Sequence, residues 1–283
     1  MKLVRYGASG REKPGLIDSG GVLRDLSGQL ADLHLPTLGL QGLARLRRLD
    51  PATLPRVRGT PRLGLPYTGI SKFVGIGLNY RDHARETGAA EPDEPVVFMK
   101  DPSTVVGPYD PVLIPRGSTK TDWEVELGVV VGAEARYLAD LPAAAGCIGG
   151  YLISHDVSER AFQLERGGQW DKGKSCETFN PLGGELVTAD EVPDPQDLRL
   201  SLSVNGVKRQ DGTTADMVFS VAHVVWYLSQ FMVLEPGDVI TTGTPPGVGL
   251  GMKPQLFLKV GDVMHLGIEK LGEQTQTCVA YQA

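Results

Sequence analysis

The stretch Thr121-Asp122-Trp123-Glu124-Val125-Glu126-Leu127-Gly128-Val129-Val130-Val131-Gly132 decides how this chain is read. It is the strongest strand signal in the sequence, valine-rich and apolar from Leu127 to Val131. Strand side chains alternate between faces, so Glu124 and Glu126 point the same way. Two like charges side by side repel. Burying even one carboxylate without a partner is costly, or forces it to take up a proton. A bound dication removes that conflict. Oxygen ligands with no thiolate pair nearby favour a hard cation, Mg²⁺ or Mn²⁺. A third carboxylate is then expected from another strand end, and Asp156, closing the segment GGYLISHD, is the candidate. The same spacing also fits two glutamates on a solvated face. Asp156 also fits the cap of a following helix.

Outward from this stretch, the texture is β-rich. KLVRY (2–6) and GGVLRDL (20–26) read as short strands, and LQGLARLRRL (40–49) as a short amphipathic helix. RVRGTPRLGLPYTG (56–69) has several prolines and glycines and no period, so the domain join is placed there. The expected division is a small N-terminal α+β domain over 1–65 and a catalytic domain over 66–283. In the second part KFVGIGL, PVVFMK, LRLSLSVNG, QLFLKVGDVMHLGI and TQTCVAY read as strands, and FSVAHVVWYLSQFM as a helix. Short strands between Gly/Pro turns, with few helices, predict an α+β, mainly β fold: a mixed β-sandwich or roll.

NYRDHARET (79–87) reads as a short helix with Asn79 as N-cap and Gly88 as its stop. Three residues apart on one face, His83 and Glu86 can pair. A carboxylate beside an imidazole raises its basicity and fixes its tautomer, as a general base for water requires. The spacing equally fits a surface ion pair.

Several classes are excluded. A net charge of −6 makes nucleic acid and anionic membranes poor partners. No apolar run reaches the ~20 residues that span a bilayer. The opening MKLVRYGASGREKPG lacks a signal-peptide core, and three scattered cysteines form no CxxC pair, so the expected location is cytoplasmic. Gly168–Ser175 matches the phosphate-loop pattern G-x-x-x-x-G-K-[ST], but the residues before it read helical. Pro181 and the glycines after it forbid the long helix that phosphate binding needs. Lys174, inside that pattern, remains a candidate fixed positive charge.

Taken in order, GIGLNYRDHARE, VVFMKDPST, TDWEVELGVVVG, SHDVSERAFQ, GKSCETFNPLG and TTGTPPGVG resemble the fumarylacetoacetate hydrolase family over about residues 70–280. The resemblance implies a mixed β-sandwich roll, a homodimer and one Mg²⁺ or Mn²⁺ per site. It places metal ligands at Glu124, Glu126 and Asp156, and a catalytic His83–Glu86 pair on a lid. Lys174 becomes the active-site lysine. Arg160 and Gln163 would hold the substrate's carboxylate end. Thr178, Thr244, Lys100 and Ser103 fall on further positions near substrate. A fourth aspartate ligand of the founding enzymes has no counterpart here. The segments KLVRYGASGREKPGLID, RLRRLDPATLP, ERGGQWDKGKSCETF and GDVMHLGIEKLGEQTQT extend the likeness to the L-2,4-diketo-3-deoxyrhamnonate hydrolases within that family. The implied activity is hydrolysis of a C–C bond in a small 2,4-diketo acid, releasing pyruvate. The alternative on the same residues is an isomerase or decarboxylase of 2-oxo or 2-hydroxy-dienoate acids.

Overall fold

The computed structural model describes residues 1–282 and is built on two mixed sheets. The larger has nine strands, in the order Leu23–Asp25, Lys13–Ile17, Lys2–Tyr6, Leu186–Thr188, Ile148–His155, Val125–Val131, Val239–Thr241, Phe73–Gly77 and Val96–Lys100. The smaller runs Val207–Thr213, Arg199–Val204, Val263–Ile268, Gly272–Ala280 and Val112–Ile114. Most pairings are antiparallel. Val239–Thr241 runs parallel to Phe73–Gly77, and Gly272–Ala280 parallel to Val112–Ile114.

The strand Val125–Val131 is buried along its whole length, which is why it reads as a continuous apolar run. Its odd residues Val125, Leu127 and Val129 join the core with Leu200, Leu202, Met264 and Leu266 of the smaller sheet. Each such side chain contributes about 1.5–3 kcal/mol by leaving water. The even residues face the other way. Val130 joins a second cluster with Leu3, Leu16, Leu35, Leu43 and Tyr67 from the first part of the chain. Toward the start of the strand that even face carries Glu126 and then Glu124.

The first 65 residues therefore have a structural task. Lys2–Tyr6 pairs with Leu186–Thr188, so the N-terminal strands continue the large sheet. The helix Leu35–Leu46 buries Leu35, Leu43 and Leu46 in the second cluster. It breaks at Gly39 (φ 49°), where the Leu40 amide turns to the carbonyl of Gly132 at 2.8 Å.

Local readings differ from the sequence in several places: the helix read over 40–49 starts at Leu35 and ends at Leu46, and Lys13–Ile17 is a further strand. The helix Arg81–Thr87 does end at Gly88 in the left-handed region, but Tyr80 is its N-cap. Asn79 instead bridges two loops, donating to the carbonyls of Phe219 and Thr242 and accepting from the Phe219 amide. Glu159, not Asp156, caps the helix Arg160–Leu164 through the Ala161 amide. Within 255–268 only Val263–Ile268 is strand. The helix Val221–Ser229 starts at Ser220, whose hydroxyl accepts from the His223 amide. Among the described residues no helix is long and apolar enough to cross a membrane.

Candidate active site

Strand register assembles the site. Val125 pairs with His155 and Glu126 with Ser154. One step further the Asp156 amide donates to the Glu124 carbonyl at 3.0 Å, so the pair continues past its regular end. Glu124 and Asp156 thus stand opposite each other, and Glu126 shares their face. Ligand oxygens of all three lie within 4.8 Å of one another, and all three side chains are buried.

Three buried cations hold this floor. Lys174 donates to Glu124 Oε2 at 2.6 Å and to Asp156 Oδ2 at 2.7 Å. Arg160 reaches Glu124 Oε1 at 2.6 Å through Nη2, Asp122 Oδ2 at 2.8 Å through Nε and Gln163 Oε1 at 3.2 Å through Nη1. Lys100 lies beneath and donates to Asp156 Oδ1. Glu126 is held differently: its Oε2 accepts from the Thr241 hydroxyl (2.5 Å) and the Gly243 amide (2.7 Å).

These partners divide the two glutamates. Burial raises the Glu124 carboxyl, but Arg160 and Lys174 outweigh it and hold it well below the usual carboxylate range. Burial also raises Glu126, and the charges of Asp156 and Glu124 push it the same way, well above its ordinary value. Burial lowers the Lys174 ammonium, yet Asp156 and Glu124 keep it raised. For Lys100 burial wins and the ammonium is lowered. Three buried acids crowded so closely that their charges push one of them, Glu126, upward are suited to a divalent cation. The residues present therefore fit the metal centre that the resemblance implies.

Above the floor lies a cavity of about 220 Å³. Glu124, Glu126, Asp156, Arg160, Gln163, Lys174, Thr244 and His83 all line it. The Thr244 hydroxyl donates to the Val125 carbonyl at 2.9 Å and accepts from Gln210 at 2.8 Å. His83 arrives on the helix Arg81–Thr87, and its Nδ1 lies 3.5 Å from Glu86 Oε2. Both Glu86 oxygens accept from the Gly247 amide at 3.0 Å. A Cβ on Gly251 would sit 2.4 Å from the Glu86 side chain, so the turn 247–251 is moulded around that carboxylate.

Other expected positions lie elsewhere. Lys100 is below the floor rather than in the cavity. Ser103 is exposed in the turn Pro102–Thr104, where its amide donates to Asp101. Thr178 does not follow Lys174 on a helix: that helix, Asp171–Lys174, stops at Ser175. Thr178 has φ 66°, and its hydroxyl accepts from the Leu113 amide at 2.8 Å. The phosphate-loop pattern is no anion cradle here, because its lysine is buried on two carboxylates.

Sequence reasoning passed over Asp122. It is fully buried and accepts from Arg160, from the Gly249 amide (2.7 Å) and from the Leu250 amide (3.0 Å). It ties Arg160 to the turn behind Glu86. The signal was present: Asp122, Glu124 and Glu126 alternate. Phe98 and Trp170, which line the cavity, were also missed.

A family model for the C-terminal region of fumarylacetoacetate (FAA) hydrolase matches residues 72–279. The chain belongs to the fumarylacetoacetate hydrolase family. A Burkholderia orbicola relative, named "Putative hydrolase", is 58% identical over 277 residues, 98% of either chain. Among solved structures, the family's fumarylacetoacetate hydrolase from psychrophilic Exiguobacterium antarcticum superposes with a TM-score of 0.90 at 35% identity, covering 99% of this chain and 100% of that one. The 2-hydroxyhepta-2,4-diene-1,7-dioate isomerase from Mycobacterium marinum superposes at 0.76 with 29% identity over all of both chains.

Proposed function

We propose that the protein hydrolyses a C–C bond in a 2,4-diketo acid of the acylpyruvate type and releases pyruvate, with L-2,4-diketo-3-deoxyrhamnonate as the leading substrate. The observation that carries this reading is His83. It is buried, backed by Glu86, and lines the same cavity as the three carboxylates. A base placed to activate water is what hydrolysis needs beyond stabilisation of charge on a 2-oxo acid.

Charge supports a monoanionic substrate. With all seven groups ionised, the carboxylates Asp122, Glu124, Glu126 and Asp156 exceed the cations Lys100, Arg160 and Lys174 by one. A dication reverses that sign and leaves one positive charge for one substrate carboxylate. Held by Glu124, Glu126 and Asp156, Mg²⁺ or Mn²⁺ would supply Lewis-acid stabilisation of negative charge on the 2-oxo acid.

The chain's own residues do the rest. Arg160 and Gln163 orient the carboxylate end. His83, with Nδ1 turned to Glu86, takes a proton from water at Nε2, and the water oxygen bonds to C4. The C3–C4 bond breaks, its electron pair passes toward C3 and the C2 carbonyl, and C3 then takes a proton. Lys174 stands beside the developing negative charge. Closure of the helix Arg81–Thr87 over the cavity keeps bulk water out.

A second reading keeps the floor and changes the reaction: isomerisation or decarboxylation of a 2-oxo or 2-hydroxy-dienoate acid. The likeness to the Mycobacterium marinum isomerase favours it. A panel of 2,4-diketo acids, including the deoxyrhamnonate, separates the two when assayed for pyruvate with and without a chelator. Hydrolysis predicts metal-dependent pyruvate from at least one of them. Turnover of a dienoate acid with no pyruvate from any diketo acid would establish the second reading instead.

A further inference from the structure

The cavity has one charged end. Its two basic lining side chains outside the lid, Arg160 and Lys174, are both bonded to carboxylates of the floor. His83 is paired with Glu86. Away from the floor the cavity is lined by Leu78, Ala89, Phe98, Leu164, Trp170 and Leu250. Among these described residues none is charged. At about 220 Å³ the space is below the roughly 300–1,000 Å³ of sites for drug-sized ligands.

Trp170 is fixed in this wall from three directions. Its ring lies on the backbone of Gly77, where a Cβ would come within 2.5 Å of the indole and displace it. Its ring centroid is 5.6 Å from that of Phe98. Asp171, the next residue, accepts from the Met99 amide on the edge strand at 3.2 Å. Trp170 is also one helical turn from Lys174, whose amide donates to the Trp170 carbonyl at 3.1 Å. Lys174 Nζ in turn lies 5.0 Å over the Phe98 ring. One short segment thus carries both a cation of the charged end and the indole of the apolar end, which fixes the distance between them.

We infer that Trp170, seated on Gly77 and against Phe98, is the specificity-determining residue for the acyl part of the substrate, admitting a short uncharged group and rejecting a second carboxylate. This rests on the reading of the site as one for a 2-oxo acid. The physical reason for rejection is desolvation: a carboxylate pressed against Trp170 and Phe98 leaves water, and the cation beside Phe98, Lys174, is already bonded to Glu124 and Asp156. The reason for the length limit is the indole itself, packed on Gly77 and against Phe98 across the end of the cavity.

The test uses the full chain loaded with Mg²⁺ and two 2-oxo acids of equal length, 2-oxopentanoate and 2-oxoglutarate, with 2-oxooctanoate as the longer probe. Affinities are read by calorimetry, and pyruvate release from 2,4-dioxopentanoate is measured separately. The wild type is expected to bind 2-oxopentanoate at least about tenfold more tightly than 2-oxoglutarate, a difference of about 1.4 kcal/mol. Trp170→Ala, with Trp170→Leu as the milder change, should raise the affinity for 2-oxooctanoate relative to 2-oxopentanoate by about tenfold. Leu164→Arg, at an exposed rim position, should close the gap between diacid and monoacid. Equal binding of the two five-carbon acids, binding of neither, or an unchanged length preference in both Trp170 variants overturns the inference. If the binding order holds and no pyruvate appears, the hydrolase reading falls and the wall stands. If pyruvate appears while the diacid binds equally well, the wall falls and the hydrolase reading stands.

Discussion

The floor of the cavity and the helix above it are held in opposite ways. Glu124, Glu126 and Asp156 sit at the ends of two central strands, fixed by register, with three buried cations on Glu124 and Asp156 and the Thr241 hydroxyl and Gly243 amide on Glu126. His83 and Glu86 ride on the seven-residue helix Arg81–Thr87, too short to be stable alone. Glu86 is fixed from outside, by the Gly247 amide and the close approach of Gly251. The floor is therefore part of the fold's stability, whereas the helix is an attachment whose geometry another loop supplies. Changes in the floor should move folding and cation binding together, and changes in the helix should move catalysis alone.

The sharpest division comes from His83→Ala. Loss of a general base should lower the pyruvate-release rate by about 10²–10⁴-fold. Unfolding midpoint and Mg²⁺ affinity should barely change, and a large loss of either would merge the two regions. Lys174→Met is the mirror case. It removes one of the two buried cations on each of Glu124, which keeps Arg160, and Asp156, which keeps Lys100, and should cost the metal-free protein up to about 3 kcal/mol in denaturant unfolding. Saturating Mg²⁺ should restore part of that, and a metal-free variant as stable as wild type would contradict the account. Glu126→Gln should lose more than about 100-fold in Mg²⁺ affinity, above the range for a residue that only supports a ligand, while keeping the fold by circular dichroism.

Gly251→Ala is a smaller, more local change. Its Cβ must displace Glu86, so the rate should fall about tenfold, or about 1.4 kcal/mol. An unchanged rate would show that Glu86 does not position His83. The smallest effect is a pH slope. In the metal-free protein Glu126 is protonated well above its ordinary 4.5, so folding takes up a proton. Stability contributed by this group is lost as pH rises from about 4.5 toward the raised folded value. A bound dication removes that uptake. The gap in melting temperature between Mg²⁺-loaded and chelated protein should widen from pH 5 to pH 8.

Legibility in the sequence followed the same division. The alternation of Glu124 and Glu126 is a local property of one strand, and it gave their common face directly. Asp156 could only be placed by its position at a strand end, since its pairing with Glu124 depends on register across distant segments. Asp122 obeyed the same alternation and was overlooked, because its partners are amides 127 and 128 residues further on. Asn79 looked like a cap because polar residues before helices usually are. Tertiary contacts with Phe219 and Thr242 claimed it instead. Trp170 was invisible for the reason that makes it matter: its place depends on the missing side chain of Gly77, ninety-three positions away in the chain.

The opposition of Glu124 and Asp156 beyond the last regular strand pair has one more consequence. A slip of one residue between these two strands would turn one of the two acids to the far side of the sheet. Cation capture is then a proofreading signal for the central zipper: a misaligned chain has the same composition of acids but no chelate. Appearance of tight ion binding during refolding should coincide with the locking of that alignment, giving an optical or calorimetric timer for the step that commits the chain to its native topology.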